Sequence, residues 1–117
     1  MKLYLAGPMR GYPQFNFPAF HRAAAQLREE GHEVFSPAER DIARHNGVDI
    51  SVNNSTGCAE EAKAQHGFNL REALAEDTDW ICRHAEALAL LPGWETSKGA
   101  RAEYALAAAL GLPIVFL

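Results

Sequence analysis

The chain has 117 residues, 48% of them apolar, and 11 basic against 15 acidic side chains give it a formal charge of −4. That length holds one domain with a hydrophobic core and not two, the charge balance offers no basic block to grip a long nucleic acid, and no apolar run is long enough to cross a bilayer. Residues 1–6 are too short for a signal h-region and run straight into Gly7-Pro8, so a cytoplasmic protein with no membrane partner is expected.

Residues 2–6 form a β-prone run broken by Gly7-Pro8, and Met9-Arg10-Gly11-Tyr12-Pro13 follows as a loop. Asn16 then precedes Phe17-Pro18 as a helix cap with proline in the first turn, and Phe17, Phe20, Ala24 and Leu27 keep helical spacing until Gly31. A second short strand over 32–36 is closed by Pro37, and 38–45 supplies one or two helical turns of alternating charge. From 46 to 69 the chain is rich in Asn, Ser, Gly and charge, with few apolar residues. Such an insert in a compact domain is functional or disordered. Cys58, within it, and Cys82, on the next helix, lack metal-ligand spacing and read as free thiols.

Residues 70–84 are helical by period, with Leu70, Ala73, Leu74 and Ile81 on one face and Asp77 among them. A carboxylate aimed at a core is costly unless it is paired, hydrogen-bonded or protonated, so Asp77 either bonds a nearby backbone group or lines a cleft. A third strand over 86–91 stops at Pro92-Gly93, a helix runs from near Ser97 to 110, Gly111 stops it, and 113–117 is a final strand. Strands alternating with helices predict an α/β fold with a parallel sheet, whose post-strand loops gather at one edge.

Ser97 can cap the last helix, and the free N–H groups there suit an anion. Gly99, Ala100 and Ala107 surround Glu103 at one-turn spacing, leaving its carboxylate bare of bulk, while Ala102, Ala105, Leu106 and Ala109 are expected to face the core. Glu103 alone reads equally as a solvated helix glutamate favoured by the dipole. There is no G-x-G-x-x-G and no Walker-type lysine loop. Two carboxylates from different elements at one edge fit a glycosidic centre. Glu103, near a helix N-terminus, is expected to stay charged and attack an anomeric carbon; Asp77, on an apolar face, is expected to hold a proton for the leaving group. Arg10 and Ser97 are placed to bind a phosphate or another anion.

The stretch Tyr4-Leu5-Ala6-Gly7-Pro8-Met9-Arg10-Gly11, then Asp77-x-x-Trp80 before a strand, then Ser97-x-Gly99-x-x-x-Glu103 with Ala107 and Gly111-x-Pro113, resembles the nucleoside 2-deoxyribosyltransferase superfamily. By motif it is most similar to the 2′-deoxynucleoside 5′-monophosphate N-glycosidases and to small, often phage-borne, relatives. The resemblance spans nearly the whole chain except 40–69. It implies a flavodoxin-like (Rossmann-like) sheet of four to five strands flanked by helices over 1–117, a homodimer or larger assembly, and no metal or organic cofactor. It implies further that Glu103 is a nucleophile forming a covalent deoxyribosyl intermediate, that Asp77 helps protonate the departing base, and that Tyr4 orients the nucleophile. Arg10 and Ser97 would lie near a 5′-phosphate, Gly99 would let the backbone approach the sugar, and Gly7 sits in the same substrate-binding loop.

The departures leave alternatives open. The family completes the 5′ end of its site with a residue beyond the last strand of a neighbouring subunit, and this chain ends at Leu117. Pro8 and Met9 replace a more polar pair, and Pro92-Gly93-Trp94-Glu95 fills the place of a shorter connection. Trp94 either stacks on a base or packs on its own domain; 46–69, with His45 and His66, is either a lid over the base or a solvated loop. The expected activity is cleavage of the N-glycosidic bond of a small-molecule 2′-deoxyribonucleoside or its 5′-monophosphate, by hydrolysis. Deoxyribosyl transfer between bases, or a non-catalytic nucleotide-binding module, are the alternatives.

Overall fold

A computed structural model describes residues 1–117. Four strands, β1 (Lys2–Ala6), β2 (Glu33–Phe35), β3 (Ala87–Leu90) and β4 (Ile114–Phe116), form one all-parallel sheet in the order β2-β1-β3-β4. Five helices flank it: α1 (Phe17–Glu29), α2 (Pro37–Arg44), α3 (Ala59–His66), α4 (Leu70–Arg83) and α5 (Lys98–Ala109). This is the expected flavodoxin-like arrangement, with four strands.

The two-residue period of the strands sorts the core into two layers. Leu3, Leu5, Ala87, Ala89 and Leu91 meet Phe17, Phe20, Ala24 and Leu27 of α1 on one side. On the other, Tyr4, Ala6, Leu88 and Leu90 meet Ile81 of α4 and Ala107 of α5. β1 and β3 are neighbours, yet the chain leaves β1 outward to β2 and leaves β3 outward to β4. Beyond their C-terminal ends lies the crevice where this topology accepts ligands.

Three expectations change. Asn16 does not cap α1: its backbone is left-handed (φ 60°), and its side-chain amide donates to the Pro8 carbonyl at 3.0 Å. Gln14, Phe15 and Asn16 form a left-handed turn, at a cost of about 1–2 kcal/mol per residue, that buries Phe15. The polar insert is folded, carrying α3 and burying Ile50, Ser51, Asn54 and Ala62. It is tied to the loop after β1 by Gly11 N–H to Gly57 O (3.0 Å) and Gln14 N–H to Asn54 O (2.8 Å), and the Asn54 amide bonds both N and O of Cys58 at 2.9 Å. Hydrogen bonds replace the apolar pattern that a sequence reading looks for.

The third change concerns α5. Ala102, Ala105 and Ala109 are exposed and Leu106 is half-buried; the helix buries Ala100, Glu103 and Ala107 instead. Small residues on that face let α5 lie against the sheet, and the one long side chain among them is the acid. Val115, Phe116 and Leu117 are exposed along the β4 edge. Both cysteines are free thiols, and no helix is long and apolar enough to cross a membrane.

Gly57 measures how firmly the insert is docked. Its φ is +67°, and a Cβ there would stand 2.3 Å from the Tyr12 carbonyl oxygen. Gly57→Ala is expected to cost about 2–3 kcal/mol, read as a lower urea midpoint at unchanged m. An unmoved midpoint would mean that the insert is not packed against that loop.

Candidate functional site

A cavity of about 90 Å³ opens at the C-terminal ends of β1 and β3. At roughly 10–15 Å³ for each water position, it has room for several waters or a small ring. Gly7 and Arg10 line it from the loop after β1, Asp77 from α4, and Ser97, Gly99, Ala100 and Glu103 from the start of α5. Its apolar wall includes Met9, Phe15, Ile50 and Phe68. Six of the eight residues singled out from the sequence therefore share one cavity. Tyr4 stands behind it and Trp94 is elsewhere.

Tyr4 is fully buried in the central strand, and its hydroxyl donates to Glu103 Oε2. Phe35 stacks on its ring at 5.3 Å between centroids and Trp80 lies tilted at 6.4 Å, so the phenol is aimed by its surroundings. Glu103 is 6% exposed and Asp77 7% exposed, and Asp77 Oδ1 has no hydrogen-bond partner. A Cβ added at Gly99 would meet nothing nearer than Ser97 Oγ at 4.0 Å, which keeps the approach to Glu103 open.

The charge assignment expected from the sequence does not hold for the free site. Burial pushes Glu103 up to about 8; the Tyr4 hydrogen bond opposes the rise, and the nearby Asp77 and Asp41 charges add to it. Burial likewise pushes Asp77 up to about 7, with Asp41 adding to the shift and Arg44 and Tyr4 opposing it. Glu103 is the sixth residue of α5, beyond the first turn where the dipole acts, so desolvation wins. Both acids are held toward the protonated form, and the Asp77 charge adds to the rise of Glu103. Burial and the two neighbouring acids also raise Tyr4 well above the usual phenol range.

Ser97 caps α5 as expected, its Oγ accepting the Ala100 N–H at 3.2 Å. Arg10 is exposed at the cavity and makes no ion pair within the chain. Gly7 has a packing reason besides: a Cβ there would stand 2.7 Å from the Leu91 Cβ. Trp94 stacks on Tyr104 at 4.9 Å and 23° and lies outside the cavity, so of its two readings the structure takes packing on its own domain. His45 and His66 do not line the cavity either; His45 Nδ1 bonds the Asp41 carbonyl at 2.7 Å, and the lining residues from the insert are Ile50 and Phe68.

Sequence reasoning missed Asp41. It is 5% exposed, lines the cavity and is bonded by Arg44 Nη1 at 2.7 Å. The available signal was its three-residue spacing from Ala38, which puts it on the buried face of α2. No group of three or more His, Cys, Asp or Glu side chains is arranged to hold a metal ion.

A family model described as "Domain of unknown function (DUF4406)" matches residues 1–116. No curated protein and no solved structure matches the chain.

The two raised carboxyls set a stability profile. Each binds its proton more tightly folded than unfolded, so in the window from about pH 4 to about 8 the native state carries more protons and unfolding free energy falls as pH rises. The fall is expected to run from about pH 5 to about 8 and to level off above that. Glu103→Gln should flatten the profile and raise stability at pH 9, read by urea unfolding at several pH values. An equally steep fall in Glu103→Gln would show that this carboxyl is not held protonated.

Proposed function

This chain belongs to the DUF4406 family, and from its site we propose that it is an N-glycosidase acting on a 2′-deoxyribonucleoside 5′-monophosphate or the nucleoside, with water as acceptor. The observation that carries this reading is the pair of buried carboxylates, Asp77 from α4 and Glu103 from α5, lining one small cavity with Tyr4 bonded to Glu103. The 2′-deoxy preference rests on the motif resemblance to the nucleoside 2-deoxyribosyltransferase superfamily.

Glu103 attacks C1′ as a carboxylate, the C1′–N bond breaks, and its electron pair leaves with the base, which takes the proton held by Asp77. The product is a glycosyl ester on Glu103. Asp77, now a base, draws a proton from water; the water oxygen bonds C1′, the ester bond breaks, and Glu103 is restored with retention at C1′. A second base in place of water makes the same intermediate a transferase step.

This sequence needs one proton on the pair, placed on Asp77. Both groups are held toward the protonated form, and the Tyr4 hydrogen bond stabilises the Glu103 anion when the proton sits on Asp77. The apolar wall of Met9, Phe15, Ile50 and Phe68 suits a planar base, and Arg10 with the Ser97 helix start suits a phosphate.

The test is incubation with deoxynucleosides and their monophosphates, with free base measured by chromatography. Glu103→Gln is expected to abolish release while nucleotide still binds, and Asp77→Asn to lower kcat roughly 10²–10⁴-fold. Release that persists in Glu103→Gln removes the nucleophile, and binding without release from any substrate favours a non-catalytic nucleotide module.

Arg10→Ala is expected to weaken monophosphates relative to nucleosides by roughly 1.5–3 kcal/mol, the worth of a charge-assisted hydrogen bond. Equal losses for both ligands would show that Arg10 does not touch phosphate.

A further inference from the structure

We propose that Asp41 reads the nucleobase: its carboxylate accepts a hydrogen bond from an exocyclic amino group, so the site selects amino-bearing bases over their carbonyl counterparts. The inference rests on the N-glycosidase reading of this cavity and deepens it by naming the class of base.

Asp41 is the one charged side chain that α2 and the insert bring to the cavity wall, where its neighbours include Pro37, Ile50 and Phe68. A mostly apolar pocket with a few fixed polar groups is how proteins orient a flat heteroaromatic ligand. The Asp41 carboxylate is fixed. Arg44 Nη1 holds Oδ1 at 2.7 Å, Arg44 Nη2 is 3.2 Å from Glu76 Oε2, and Arg40 Nε reaches Glu76 Oε1 at 2.5 Å. His45 Nδ1 on the Asp41 carbonyl ties down the same turn.

That chain of ion pairs leaves Oδ2 without a hydrogen bond from the protein. A carboxylate oxygen that no protein group occupies is free to accept from a ligand in the cavity that Asp41 lines. Burial raises the Asp41 carboxyl, and the Arg44 hydrogen bond and charge oppose that rise in favour of the acceptor form. Cytosine, adenine and guanine offer an exocyclic N–H to such an acceptor. Uracil and thymine, and hypoxanthine at the equivalent position, present a carbonyl oxygen, and two acceptors facing each other are left unpaired.

Two ligand pairs that differ by one amino-for-carbonyl exchange isolate this contact: the 5′-monophosphates of deoxycytidine and deoxyuridine, and those of deoxyadenosine and deoxyinosine. Binding is measured by calorimetry on the full chain carrying Glu103→Gln, with and without Asp41→Asn, and base release is measured separately on the wild-type chain. The amino member of each pair is expected to bind about tenfold or more tighter, and Asp41→Asn, whose amide presents a donor as well as an acceptor, is expected to bring the ratio near one. A ratio near one before Asp41 is changed, which needs no variant at that position, overturns the proposal. So does an Asp41→Asn loss that is equal for both members of a pair, which is the mark of a structural role. Binding with the expected ratio but no base release from the wild-type chain sinks the N-glycosidase reading alone, release with a ratio of one sinks the base-reading role alone, and no binding at all sinks both.

Discussion

The buried hydrogen bond from Tyr4 to Glu103 joins the middle of the sheet to α5, and the rest of the site is arranged around it. It spans 99 residues of sequence and brings an acid to the end of the central strands with a phenol as its hydrogen-bond donor. For Glu103 to reach that position, α5 must lie close against the sheet, which is why its buried neighbours are Ala100 and Ala107. For the phenol to point there, its ring must be held from the side, which Phe35 and Trp80 do.

Such a site costs the fold stability. Two carboxyls buried without a cation to neutralise them directly are held toward the protonated state, and Asp77 Oδ1 is left without any donor. Proteins tolerate departures of this kind at functional sites, supported by regular structure elsewhere. Here the support is the double-layered apolar core on β1 and β3. The left-handed turn at Gln14–Phe15–Asn16 is a second strained feature, and it too borders the cavity, through Phe15.

Charge around the cavity is graded by distance from solvent. Arg40 and Glu76, partly exposed and outside the cavity, pair with each other, Arg44 passes the contact inward to Asp41, and Asp41 in turn raises the proton affinity of Asp77 and Glu103. Asp41 therefore acts on both acids through space, and Arg44 on Asp77.

Local signals were enough for much of this. Period-two and period-3.6 patterns, with Gly and Pro as stops, located the strands and the main helices, and Ser97 was recognisable as a cap because capping depends on neighbours three residues away. Asp77 stood out for the same reason, as an acid on an apolar helical face. What the order of residues left open were quantities that sum over distant partners. Which face α5 buries, whether Trp94 meets a ligand or Tyr104, and how residues 46–69 dock through backbone hydrogen bonds all depend on surfaces brought together from elsewhere in the chain. The charge of Glu103 is the clearest case: its place on a helix was local information, but its protonation follows from desolvation, and only the packed tertiary structure decides how much water remains.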